Sequence, residues 1–296
     1  MNCRLSAPSF KYLRVSLDCR CPICGRPDWC LISRFGDTVI CCRAESDTPR
    51  PQFSGWLHQV PPRDRLAPEH IRTRATAFRP HDVQDFGSEL ESLAKDFDGT
   101  ARNHAAAALN LHPEAFEPYR LGFDRANDAL AVPAMQAADP LVIGIRFRRL
   151  NPNGRMKWWS RIGSTAGLLL PLHAPDETRP IVLAEGPSDT LAAAQLDLHA
   201  IGRWSCALDD RQLKTLQAHL ACVPHPEIIV AGDNDESGAG KRGADGAAAA
   251  IIRQMPDACV RRVQPPARIK DLRQWVIEGC SAGDVIDSAK EVVHAS

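Results

Sequence analysis

No stretch of this chain approaches the roughly 20 consecutive apolar residues that a membrane-spanning helix needs. Arg4, Lys11, Arg14 and Asp18 also interrupt any signal-peptide core at its start. A cytoplasmic protein with no membrane partner is the expectation. There is no Gly-x-x-x-x-Gly-Lys-Ser/Thr loop, which excludes a recognisable ATPase motor. Tyrosine is scarce, with only Tyr12 and Tyr119, and net charge is missing, since 36 Lys and Arg balance 36 Asp and Glu over 296 residues. That balance would argue against a nucleic-acid partner if the charge were evenly spread, but it is segregated. Between Leu141 and Leu170 six basic residues (Arg146, Arg148, Arg149, Arg155, Lys157, Arg161) meet no acidic one, and residues 1–80 hold thirteen Lys or Arg against seven acids. Basic surface for phosphates, with carboxylates gathered elsewhere for cations, is the footprint of a protein that acts on nucleic acid.

Cysteine, by contrast, is plentiful, and seven of the 11 crowd into the first 42 residues, which points to metal rather than to a disulfide scaffold. Cys21-Pro-Ile-Cys24-Gly25 offers two thiolates from one tight turn, with Gly25 permitting a positive backbone angle after the second. Cys30, and Cys41 at the end of a short Thr38-Val-Ile strand, complete the favoured zinc set, with Cys19 and Cys42 as alternates. So polar a segment offers the thiols no core of its own, which favours a structural zinc over buried free cysteines. Trp29 is expected to pack inside this module, while Arg26, Arg34, Phe35 and Arg43 are candidates for stacking and phosphate contacts. The zinc ribbon spans 15–48. Pro49, Pro51, Pro61, Pro62, Pro68 and Pro80 then predict a semi-rigid linker over 49–80, which lets the zinc module move.

Residues 81–178 begin with helical spacing of Leu90, Leu93, Ala94 and Phe97, followed by the alanine-rich run from Ala105 to Leu109. The period then changes. Ala129 to Met135 and Leu141 to Arg149 predict a hairpin whose second strand alternates apolar and basic residues, so that one face packs and the other points arginines outward. Asn151-Pro-Asn-Gly154 is a turn, and Lys157-Trp-Trp-Ser160 opens another strand, on which Trp158 and Trp159 must face opposite ways.

From 179 to 280 the pattern alternates strand (181–184, 200–204, 227–232, 259–264) with helix (188–196, 209–221, 239–254), the signal for a parallel sheet covered by helices. Two acidic clusters sit where apolar strands run out: Glu185-Gly186-Pro-Ser-Asp189 and Asp233-Asn-Asp235. In an open parallel sheet neighbouring carboxyl ends meet at one edge, so these carboxylates can converge and hold Mg²⁺ with substrate phosphates. Asp209-Asp210 opens a helix and reads as an N-cap. Gly238, Gly240 and Gly243 allow close backbone approach at the start of the last helix, where Lys241 and Arg242 are candidate phosphate contacts. A C-terminal helix, 281–296, is expected to run from Asp284 to Val293.

These residues resemble known families. Glu185-Gly186 followed by Asp233-x-Asp235, with Lys270-Asp271-Leu-Arg-Gln-Trp275 after it, looks like the Toprim domain of bacterial-type primases, topoisomerases and some nucleases. Arg20-Cys-Pro-Ile-Cys-Gly-Arg-Pro-Asp-Trp-Cys30 resembles the zinc-binding domain of phage and plasmid primases. The middle section, ending Gly163-Ser164-Thr-Ala-Gly167, resembles the basic N-terminal part of the primase catalytic core, with Arg146, Arg148, Lys157 and Ser164 on the matching stretch. The resemblance implies an α/β fold: a Toprim parallel sheet flanked by helices, preceded by a basic α+β subdomain and a zinc ribbon. It implies a primase making short RNA primers on a single-stranded DNA template from ribonucleoside triphosphates, with structural Zn²⁺, catalytic Mg²⁺ or Mn²⁺, and a separate replicative helicase. Asp233 and Asp235 would hold Mg²⁺, Glu185 would ligate metal or accept a proton, Asp189 and Asp271 would supplement the set, and Lys270 would neutralise phosphate. A Toprim nuclease and a non-catalytic DNA-binding replication or recombination factor are the competing readings; the two tyrosines lie in no plausible DNA-gate module, which argues against a topoisomerase.

Overall fold

The computed structural model describes residues 12–292 apart from 28, 51–54, 75, 78–84, 137–140, 155, 177, 205–206 and 237. Cys3, Pro51, Pro80, Arg155 and Val293 therefore lie outside the described residues. The chain divides into two compact units, Met1–Asp82 and Val83–Ser296.

The first unit is an antiparallel sheet. Its strands are β1 (Tyr12–Arg14), β2 (Leu31–Ser33), β3 (Thr38–Cys41), β4 (Pro49–Arg50), β5 (Gly55–Gln59) and β6 (Thr76–Ala77), with helix α1 (Pro68–Arg74) before β6. They lie in the order β4-β5-β3-β2-β1-β6. This corrects the expected linker: 49–77 supplies strands β4, β5 and β6 as well as helix α1, and β5 pairs with β3 from Thr38↔Gln59 to Cys41↔Trp56. The prolines sit where proline is tolerated. Pro49 lies in an edge strand, Pro62 begins a short 3-10 turn and Pro68 is the first residue of α1. The same segment supplies the core that residues 15–48 lack by themselves, because Val60 and Ile71 join Leu13, Val15, Ile32 and Val39 around the cysteines.

The second unit opens with α2 (Gly87–Lys95) and α3 (Gly99–Leu109), then β7 (Gly122–Asp124), β8 (Ala129–Gln136), β9 (Leu141–Arg149), β10 (Trp158–Ser160) and β11 (Leu168–Leu169). Next come β12 (Ile181–Glu185), α4 (Pro187–Gln195), β13 (His199–Arg203), α5 (Asp210–His219), β14 (Glu227–Ala231), α6 (Ala239–Gln254) and β15 (Cys259–Val263). The chain closes with α7 (Leu272–Ile277), α8 (Ala282–Asp287) and β16 (Lys290–Glu291). Strands β13-β12-β14-β15 are parallel. Helices cover both faces, which explains the near-continuous Val, Ile and Leu runs. Val182, Ala200 and Ile229 pack with Leu191 of α4 and Trp275 of α7, while Leu183, Ile201 and Val230 pack with Leu216 of α5 and Ile251 of α6.

The basic section, expected to precede the parallel sheet as a subdomain, shares one sheet with it. Two-residue β11 pairs antiparallel with both β8 and β13, giving the order β10-β9-β8-β11-β13-β12-β14-β15-β16 with β7 beside β8. The expected long C-terminal helix is also corrected. Helix α8 ends at Asp287, and β16 then lies antiparallel on β15, covering an edge that would otherwise offer unpaired backbone groups.

Candidate active site

Chain direction brings the acidic residues together. Strands β12 and β14 run parallel, so Glu185 at the end of one and the Gly232-Asp233-Asn234-Asp235 turn after the other leave the sheet on the same edge. Gly186, at φ +87°, turns the chain from β12 into α4, whose first turn carries Asp189. Asp235 accepts a backbone hydrogen bond from Ala239 at 3.0 Å and so anchors the start of α6. Gly240 is obligatory beside it: a Cβ there would lie 2.7 Å from the Asp233 carbonyl oxygen. Asn234 binds the loop that follows β15, its Nδ2 donating to the carbonyls of Pro265 (2.7 Å) and Ile269 (2.9 Å) while its backbone N–H donates to Lys270 (2.7 Å). That loop delivers Asp271, which caps α7 by accepting from the Gln274 N–H at 2.8 Å.

Glu185, Asp189 and Asp233 are held against their preference for charge. Burial pushes Glu185 up, Arg203 opposes the shift and Asp235 adds to it. Asp189 is buried and pushed well up by that burial and then by Asp271 and Asp233, although it accepts the Arg273 N–H at 2.9 Å. Asp233 is pushed to about 7, first by burial and then by Glu185 and Asp271, against the pull of Arg203 and Lys270. Hard oxygen donors that desolvate and repel one another fit Mg²⁺, although among the described residues no carboxylate trio draws as close as the four sulfurs described below.

Cations surround the acids. On β9, Arg148 is 5 % exposed, and its Nε and Nη1 have no hydrogen-bond partner among the described residues. Burial and the nearby Arg273 charge pull it down to about 10, with Asp189 opposing. Lys157 is pulled down by burial, then by Arg148, Arg273 and Lys270, with Asp271 opposing. Arg148, Lys157, Lys270 and Arg273 thus share one electrostatic neighbourhood with the carboxylates. The expectation of outward-pointing arginines is corrected at Arg148, because the continuous sheet folds that face against other parts of the unit.

Arg146 donates to the Trp204 carbonyl at 3.0 Å and lies 4.9 Å from the centre of the Trp158 ring. Trp158 pairs across from Arg148, whereas Trp159 stacks on Phe147 at 5.1 Å on the packed face. Ser164 is spent on structure: its hydroxyl accepts from the Ile145 N–H at 3.0 Å. Arg161 pairs with Glu89, and Lys241 is exposed on the first turn of α6. Arg203, Arg273 and Asn234 carry the site yet were not singled out from the sequence; for Arg203 the available signal was a cation ending an apolar strand, next to the strand that ends in Glu185.

In the first unit, Cys21, Cys24, Cys30 and Cys41 place their sulfurs all within 4.8 Å of one another. Cys24–Cys30 is 3.7 Å and Cys30–Cys41 is 3.8 Å. Sulfurs at the corners of a tetrahedron about 2.3 Å from a central zinc lie about 3.8 Å apart, so the donor set and its edges suit that ion. Of the alternates, the Cys42 thiol donates to the Trp29 carbonyl at 3.0 Å, and neither it nor Cys19 belongs to the set of sulfurs that converge. Gly25 takes the expected positive angle, φ +68°. Trp29 is corrected: it is 51 % exposed, and Phe35 is 70 % exposed. With four cysteines converging beneath, so small a core leaves both rings outside.

Comparison with solved structures returns primases. The Aquifex aeolicus primase zinc-binding and RNA polymerase domains match 97 % of this chain and 81 % of that one, with a TM-score of 0.52 at 13 % identity. A DnaG primase catalytic domain bound to ssDNA matches 69 % of this chain and 79 % of its own, with a TM-score of 0.49 at 14 % identity. The RNA polymerase domain of Mycobacterium tuberculosis primase DnaG matches 69 % and 82 %, with a TM-score of 0.46 at 14 % identity. No family model and no curated relative matches the chain. The chain therefore has the fold of a primase zinc-binding module and RNA polymerase domain.

Proposed function

We propose that this protein is a primase: a nucleotidyltransferase that makes short RNA primers on single-stranded DNA, with its second unit built on a Toprim core. The observation that supports the reading is the electrostatic neighbourhood of five carboxylates (Glu185, Asp189, Asp233, Asp235, Asp271) and buried or crowded cations (Arg148, Lys157, Arg273) around one continuous sheet. Phosphoryl transfer needs both signs of charge side by side, the anions to hold a cation and the cations to hold phosphate.

In the reaction the 3′-hydroxyl of one nucleotide attacks the α-phosphate of the next, and pyrophosphate leaves. Asp233, Asp235 and Glu185 would hold Mg²⁺ or Mn²⁺, which would supply charge neutralisation on the triphosphate and activation of the attacking oxygen. Glu185 would either ligate the metal or take the hydroxyl proton. Arg148 and Lys157 orient phosphate oxygens, and Arg148, already desolvated, exchanges no water for them. The first unit, held by zinc on Cys21, Cys24, Cys30 and Cys41, offers Trp29 and Phe35 for stacking against template bases.

The test is primer synthesis on single-stranded templates with labelled ribonucleotides and Mg²⁺. Wild type yields short products, and Glu185→Gln, Asp233→Asn and Asp235→Asn each lose at least about 100-fold, the scale of removing one preorganised electrostatic group. Full synthesis by the Asp233 and Asp235 variants refutes the metal site. Mg²⁺-dependent strand cleavage without incorporation transfers the reading to a Toprim nuclease.

A further inference from the structure

One cation stands among the carboxylates and never reaches solvent. Arg203 ends β13, level with Glu185 across the parallel ladder, and its side chain is fully buried. Its neighbours along the strand are Ala200, Ile201 and Gly202, so an apolar side chain would suit the position if packing were all it had to do. A guanidinium stays charged inside a protein, and burying one is costly unless it is paired and hydrogen-bonded. Nη2 donates to the Ala231 carbonyl at 2.9 Å and to Glu185 Oε2 at 3.4 Å. Ala231 is the last residue of β14, two positions before Asp233. One planar group on β13 thereby touches the ends of both strands that carry the acidic site.

From this geometry we infer that Arg203 is a positioning residue that holds Glu185 by Oε2 so that Oε1 is the oxygen presented to the catalytic cation. Among the described residues Glu185 makes no other side-chain hydrogen bond, so among them Arg203 is what selects which oxygen faces the site. Ligating carboxylates are oriented in this way by partners outside the coordination sphere. This inference rests on the proposed metal site and assigns a role to a residue outside it.

The test is Mn²⁺ binding to the zinc-loaded full chain, followed by electron paramagnetic resonance, a readout that needs no primer synthesis. In Arg203→Met, Mn²⁺ affinity falls by about 10- to 100-fold, the usual effect of losing an outer-shell partner. Arg203→Lys, which keeps a charged donor, recovers much of it. Added to Glu185→Gln, the Met substitution changes the remaining affinity by less than about twofold, because its effect runs through the Glu185 carboxylate. Circular dichroism and thermal melting confirm folding, and if Arg203→Met does not fold, Arg203→Gln takes its place. If wild type binds Mn²⁺ but Arg203→Met binds it equally well, or loses the same factor with and without Glu185, Arg203 is only a strut and the metal site stands. If wild type binds no Mn²⁺ at millimolar concentration, the metal site itself falls and the role of Arg203 falls with it.

Discussion

Asp233 carries the sharpest consequence at the scale of a single residue. Held at about 7 by burial and by the charges of Glu185 and Asp271, it keeps a proton in the folded, cation-free chain that an unfolded aspartate at 3.8 has released. Folding then takes up protons, so this group's contribution to stability is full below about 4 and is lost as pH rises through 7. Glu185 and Asp189, also pushed up, act in the same direction. Far from this site, His199 works oppositely: burial and then the His219 and His173 charges hold it at about 4, which costs stability as pH falls below 6.5. The magnesium effect separates the two. Mg²⁺ replaces the carboxylate protons, so its thermal stabilisation is larger at about pH 8 than at about pH 5.5. Melting curves with Mg²⁺ and with chelator at both values check this, and an equal or larger shift at the acidic value defeats the electrostatic account.

Single elements carry the next two predictions. Helix α6 approaches the Asp233 backbone through Gly240, where a Cβ would sit 2.7 Å from a carbonyl oxygen, while Gly246 in the same helix has nothing within 4 Å of its Cβ position. Gly240→Ala therefore costs about 1–3 kcal/mol through overpacking and weakens Mn²⁺ binding by moving Asp233. Gly246→Ala gains about 0.4–1 kcal/mol from a less mobile unfolded chain. Denaturant unfolding and metal titration of the two variants decide it. On β9, Arg146 and Arg148 share a face with Trp158. Replacing both with Ala weakens single-strand or nucleotide binding, and if each contacts one phosphate of single-stranded DNA the salt slope flattens by about 1.4. An unchanged slope places the nucleic acid elsewhere. The alternation of this strand was legible in its sequence, but the burial of Arg148 was not, since a period of two says which face a residue takes and nothing about what covers that face.

At the scale of the whole molecule, the two units have separate cores, one gathered around four sulfurs and one around a ten-stranded sheet. Zinc analysis is expected to return one ion per chain. Cys21→Ser or strong chelation opens the first unit, seen as protease cleavage between residues 12 and 77, while 87–292 stays protected, because a thiolate-held module this small folds on its metal. If the zinc-free chain resists cleavage as the loaded one does, the site is not structural. Initiation on a template suffers more than extension of a supplied primer, since the first unit is assigned to the template and the second to the chemistry.

What the sequence by itself determined was whatever short-range chemistry writes into local pattern. The strands and helices from 181 to 263, the Asp209 cap, the positive angle at Gly25 and the Cys21–Cys24 pair follow from periodicity, capping and spacing within a few residues, whereas the choice of Cys30 and Cys41 over Cys19 and Cys42 is made by the folded unit. Tertiary structure alone decided the rest. The prolines of 49–80 announce interrupted structure, but only the finished sheet shows them at an edge and at helix starts, with Val60 and Ile71 closing the core over the cysteines. Nothing near Arg203 in the chain reveals that it ends level with Glu185 on a neighbouring strand, or that Arg273 and Asn234 tie distant loops to the carboxylates. Those contacts join residues from about 18 to 84 positions apart, and a long-range pairing is settled by how whole elements bury their apolar faces, which no local window contains.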